Sequence, residues 1–123
     1  MGTMFQSRYV EASADTQKSA REVEREAFEK SLMLLEAAQS RSPDSREAIE
    51  AIHFVNRLWS HLMEDLASQE NGLPDELRAS LISVGIWVLR RTDDIRLGKV
   101  TDFAALIDVS RAISKGLETD PQC

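Results

Sequence analysis

The sequence contains one cysteine, Cys123, and it is the last residue. A single thiol cannot close an internal disulfide, so nothing in the chain calls for an oxidising compartment. Histidine is nearly as scarce, with only His53 and His61. Eight residues apart on one helix, their Cα atoms would lie about 12 Å apart, too far to share a metal ion. His61 and Asp65 have the spacing of two ligands, but two do not complete a site, and no third His or non-terminal Cys is there to join them. No metal and no cofactor is therefore expected. The five glycines are scattered, which excludes both a phosphate-cradling loop and a glycine-framed nucleophile. The longest uncharged apolar run, residues 81–89, falls far short of the roughly 20 residues that span a bilayer. The first 13 residues lack the basic-then-apolar order of a signal peptide, so the expected location is the cytoplasm. Basic residues are outnumbered, 15 against 21, and the formal charge of −6 works against binding a polyanion by charge alone.

What the chain does have is the composition of one globular domain: 123 residues, 42% hydrophobic and 29% charged. That length can bury roughly two-thirds of the surface an unfolded chain exposes, enough for a core without staples. Pro43, Gly72 with Pro74, and Gly98 divide the chain into four pieces, each with a helical pattern. The reading is all-α: four helices joined by short links in a domain over residues 15–118, with a flexible arm at 1–14 and a tail at 119–123.

The second piece is the clearest. Ser42 supplies a capping hydroxyl ahead of Pro43, with Asp44 in the first turn. Ile52, Val55, Trp59, Leu62 and Leu66 then form one stripe, while His53, Arg57, His61 and Asp65 step by four on the opposite, solvated side. A helix over about 43–68 follows. In the third piece Ile82, Val84, Ile86 and Val88 alternate as in a strand. Leu73-Pro74-Asp75-Glu76 nevertheless makes a helix start, and no breaker precedes Gly98. Read as a helix, it places Leu77, Leu81, Val84, Val88 and Ile95 on one face, with Ile82, Ile86 and Leu89 nearly opposite and Trp87 on the flank. Apolar on two faces, this helix is expected at the centre, covered from both sides. Gly85 inside it costs about 1 kcal/mol against Ala and implies close approach of a neighbour.

The fourth piece runs from about Asp102 to Leu117 with Thr101 as its cap, and Phe103, Leu106, Ile107, Ile113 and Leu117 give its stripe. The first begins somewhere between Ser13 and Ser19, where Ser19 and Glu22 resemble a capping box. Its Glu22, Glu24, Glu26 and Glu29 interleave with Arg21, Arg25 and Lys30, as in an exposed helix with i,i+4 ion pairs. Leu32, Met33, Leu34 and Leu35 make its end apolar nearly all round.

These residues offer binding surface and no catalytic group. Arg90, Arg91, Arg96 and Lys99 cluster near the end of the third helix. Cations there complement the helix dipole, and Asp93 and Asp94 sit among them, so a nucleic-acid patch is the weaker reading. Phe28, Leu32 and Leu35 on the first helix, Phe54 on the polar side of the second, and Ile82, Ile86 and Leu89 on the third make more apolar surface than a small core requires. They are either all core or, in part, a groove for an amphipathic helix of a partner.

Three stretches carry a family resemblance: "RLWSHLMEDLA" (57–67), "NGLPDELRASLISVGIWVLRR" (71–91) and "DDIRLGKVTDFAALIDVSRAISKGL" (93–117). They resemble the flagellar biosynthesis protein FlaF of alphaproteobacteria, and "SREAIEAIHFVNRLW" (45–59) fits the same family. The resemblance covers about residues 20–117. It rests on Trp59, Asp65, Leu73, Pro74, Leu77, Arg78, Gly85, Ile86, Trp87, Ile95, Arg96, Gly98 and Phe103, taken as mainly structural positions. It implies a small helical cytoplasmic protein acting on flagellin, either as a secretion chaperone or as a regulator of flagellin synthesis beside a second protein, FlbT. It supplies no catalytic motif. The expected function is a flagellin-binding export chaperone or adaptor. The alternatives are post-transcriptional control through FlbT or the flagellin messenger, and a homodimeric scaffold.

Overall fold

The computed structural model describes residues 14–118, and the side chains of 23–116. The described residues form four helices and no strand: α1 (Ala14–Gln39), α2 (Arg46–Ala67), α3 (Asp75–Arg96) and α4 (Ala104–Glu118). The arm and tail read from the sequence, with Cys123, lie outside the described residues, except that Ala14 already opens α1. Ser19 therefore lies inside the first helix and cannot cap it.

Local chemistry sets the other boundaries. At α2 the cap is Ser45, whose Oγ accepts from the Ala48 amide at 3.1 Å. The expected Ser42 instead donates to the Asp44 carboxylate, and its carbonyl closes a turn with the Ser45 amide. Ser42, Pro43 and Asp44 thus belong to the link, and the helix starts three residues later than the Ser-Pro pair suggests. α3 begins after Pro74 and ends before Gly98, whose φ of +80° is the left-handed conformation that glycine adopts without strain. α4 is capped by Asp102 and not by Thr101: Asp102 Oδ1 accepts from the Ala104 amide at 2.9 Å. Gln39 of α1 completes the corner, accepting from the Phe103 amide at 3.1 Å and donating to Asp102 at 3.4 Å.

The helices pack in the spatial order α4, α1, α2, α3, so the two middle positions belong to α1 and α2. α1 meets α2 through Phe28 and Trp59, whose rings stand edge to face at 5.7 Å, an arrangement worth about 0.5–1.5 kcal/mol beyond area burial. Ala38, Ala48 and Ala51 are fully buried on either side of the α1–α2 link. α4 lays Phe103, Leu106 and Ile107 into the same core against Leu35, and an Arg111–Glu36 ion pair at 2.8 Å ties the exposed side of that seam.

α3 corrects the expectation of a central helix. Its extensive backbone contact is with α2 alone, where Asn56 meets Thr92 and Arg78 reaches the Ser68 carbonyl, so the two run antiparallel. Gly85 is the close-approach point: a Cβ there would come within 2.3 Å of Met63 Sδ and 3.2 Å of Trp59 Cε3. Val88 and Ile95 of the inward stripe are buried, while Leu77 on the same line is 46% exposed. Two apolar faces therefore do not mean two covering neighbours. The second face of α3 is covered only in part: Leu89 packs against the core and Ile82 is half-buried, while Ile86 is exposed.

Candidate partner-binding groove

Where the N-terminal half of α2 passes the C-terminal half of α3, a trough of about 850 Å³ opens between them, bounded at one end by Ser42, Pro43 and Asp44 of the α1–α2 link. Ala48, Ile52 and Ile95 form its apolar floor, Asn56 and Thr92 its polar bridge, and Ile49 stands 61% exposed on its lip. The volume falls in the range of ordinary ligand pockets, and the trough is open to solvent, so it can take the face of a helix as well as a small molecule.

The bridge has one assignable direction. Thr92 Oγ1 donates its only proton to the Leu89 carbonyl at 2.8 Å, so it must accept from Asn56 Nδ2, which lies 3.0 Å away. Asn56 Oδ1 is then the end of the amide left with acceptor capacity at the groove. At the channel's end Asp93 and Arg96 pair at 3.0 Å, both more than half exposed. Beyond them Gly98 turns the chain away: its amide bonds the Ile95 carbonyl and that of Lys99 the Asp94 carbonyl. A left-handed turn here lets the link to α4 leave without crossing the trough.

Helical spacing extends the same seam along α3. Thr92, Asp93 and Arg96 line the channel, and at 100° per residue Leu89 and Ile82 fall on the same flank, with Ile86 just beyond. Ile82 and Leu89 are half-buried and Ile86 is 43% exposed. Three of the residues expected to bind a partner thus continue the channel's flank along α3, and none of them lines the channel itself. The others separate. Phe28 and Leu35 are 2% and 0% exposed, sealed in the α1-centred core, and present no surface. Leu32 is half-buried against the core from α1. Phe54 is half-buried on the far side of α2, with the Lys30 ammonium 5.0 Å from its ring centroid.

Of the signature positions, Trp59, Gly85, Ile95 and Phe103 are buried. Trp87 is half-buried under the Arg91 guanidinium at 5.1 Å. Asp65 accepts from Asn71 in the α2–α3 link, and Arg78 and Gly98 shape the two links beside α3. Leu73, Leu77 and Ile86 are exposed, and Pro74 sits at the start of α3. His53 and His61 are both exposed, and among the described residues no three His, Cys, Asp or Glu side chains come together as a metal site. No described helix is long and apolar enough to cross a membrane.

Sequence reasoning passed over Ile49, Asn56 and Thr92. Ile49 did carry a signal: it is an isoleucine standing off the α2 stripe, beside the polar line of His53 and Arg57. Asn56 and Thr92 carried none, because their bond joins residues 36 apart.

A family model described as flagellar protein FlaF matches residues 5–117. The match starts well ahead of residue 20, where the resemblance read from the sequence began. No curated protein and no solved structure matches the chain.

Proposed function

The chain belongs to the flagellar protein FlaF family, and from that premise we propose that it acts on flagellin as an export chaperone or adaptor, by binding and without catalysis. The observation that supports this reading is the α2–α3 channel, apolar on its floor, with Ile49 on one lip and Ile86 on the flank beyond. Exposed isoleucines along a helix seam are costly in water, at about 25 cal/mol per Å² of apolar surface. A partner's apolar helix face removes them from it. The terminal segments of monomeric flagellin become amphipathic helices in the filament, as the family resemblance implies. Before export such a segment has an apolar face to hide, and the channel can take that face.

The test is size-exclusion chromatography with light scattering, on the chain alone and with its cognate monomeric flagellin, followed by the Ile49→Glu/Ile86→Glu variant. A joint peak of fixed stoichiometry, lost in the variant while its circular dichroism is unchanged, is the expected result. Separate peaks at micromolar concentration would remove the chaperone reading and redirect attention to FlbT and the flagellin messenger. A doubled mass for the chain alone, abolished by the same variant, would make the channel a homodimer interface instead.

A further inference from the structure

The charge of the molecule is not spread evenly, and its distribution bears on what the channel accepts. Residues 40–57 and 89–100, which carry the channel end of the α2–α3 seam, hold seven basic against five acidic side chains. The rest of the chain holds eight against sixteen. The channel thus lies in a basic district of an acidic protein.

Placement sharpens this. On α2, Arg46, His53 and Arg57 fall by helical spacing on one line bordering Ile49, while Glu47 and Glu50 turn further away from the channel. On α3, Arg96 lines the channel itself, while Arg90 and Asp94 both turn to the other side of the helix. Of the two acids that reach the channel itself, Asp93 is paired with Arg96 and Asp44 accepts from Ser42. Arg46 and Arg57 are exposed and make no ion pair among the described residues.

Resting on the reading that a flagellin segment occupies the channel, we infer that this segment is an amphipathic helix whose apolar stripe is bordered by carboxylates. Ile49, Ile52 and Ile95 take the stripe, and Arg46 and Arg57 take the carboxylates from the α2 bank. A basic amphipathic helix is repelled here, so the charge pattern selects as well as attracts. Because the arginines stand on the rim, they act mainly on the association rate and its salt dependence, while the isoleucines hold the complex together.

The experiment titrates fluorescently labelled monomeric flagellin, and separately a labelled flagellin messenger leader, with the full chain and with Arg46→Glu/Arg57→Glu, at low and high salt. The expected result is flagellin binding that weakens as salt rises and falls about tenfold in the variant. The Arg46→Lys/Arg57→Lys variant should retain it. Flagellin binding that is unchanged in the Glu variant and insensitive to salt overturns this inference while leaving the proposed function standing. No flagellin binding by the unaltered chain overturns both. Binding of the RNA alone, with a steep salt slope lost in the Glu variant, assigns the arginines to phosphate and overturns the inference as well.

Discussion

The seam between α1 and α4 and the seam between α2 and α3 are built from the same material and end differently. Both join antiparallel helices, and both carry a side-chain amide from one helix across to the other. At the α1–α4 corner Gln39 reaches a backbone amide and the Asp102 cap, bulky Phe103 and Leu106 fill the space behind it, and Arg111 with Glu36 closes the outside. At the α2–α3 seam Asn56 reaches Thr92, and beside that bond stand Ala48, Ile52 and the turn at Gly98, which leave a trough open. One polar crossing is backed by a buried aromatic ring and the other by aliphatic side chains, an alanine and a glycine turn. The difference teaches that an interface opens where side-chain volume runs out, and that hydrogen bonds can hold helices together without filling the gap.

The strongest way to break the comparison is to take volume from the sealed side. Leu106 is 1% exposed within the core, so Leu106→Ala should cost about 2–5 kcal/mol, the transfer of the lost methyl groups plus the cavity left behind. For a domain of this size that lowers the melting temperature by roughly 10–20 °C, read by circular dichroism. Equal loss in a variant on the open lip would mean that the two seams do not differ in the way described.

A smaller effect is expected on the α2–α3 side, where Gly85 lets Met63 and Trp59 come close. Gly85→Ala gains about 1 kcal/mol of helix propensity but places a methyl group on Met63 Sδ and against the Trp59 ring. The thioether is flexible and can move. The buried indole cannot, and overpacking of this kind costs about 1–3 kcal/mol. The net expectation is a loss of about 1 kcal/mol in urea denaturation. In a Met63→Ala background the same change should become neutral or stabilising, because the displaced group is gone. A double-mutant cycle with no coupling between the two positions would show that Gly85 is not there for that contact.

How much of this was legible in the sequence follows the range of the interaction. Pro43, Pro74 and Gly98 act on their own backbone and their neighbours', so the four helices and the stripe of Ile52, Val55, Trp59 and Leu66 could be read directly. The caps were read only in part: Ser42 and Ser45 both suit a helix start, and the turn closed by the Ser42 carbonyl decided between them. Gln39 could not be read at all as the partner of Phe103, since 64 residues separate them. The central position given to α3 failed for a related reason. Periodicity reports that Ile82, Ile86 and Leu89 are apolar, but the number of neighbours a face meets is a property of the packing. Phe28 and Leu35 show the converse, an apparent surface ridge that α2 and α4 cover.

The smallest change in stability belongs to the residue on which the binding argument leans most. Ile49 is 61% exposed and makes no contribution to the buried core. Ile49→Glu removes apolar surface that was already in water and adds a carboxylate near the positive end of α2, so stability should move by no more than about 0.5 kcal/mol. In a complex the same carboxylate would be buried against an apolar stripe without a partner, a loss of several kcal/mol and therefore of all binding at micromolar concentration. Chemical denaturation and flagellin titration of this one variant separate the two roles of an apolar side chain. A variant that destabilises the fold would place Ile49 with Leu106 as packing, and the contrast between the sealed and the open seam would be lost. An unchanged fold with lost binding identifies the gap beside Ala48 as the working surface of the molecule.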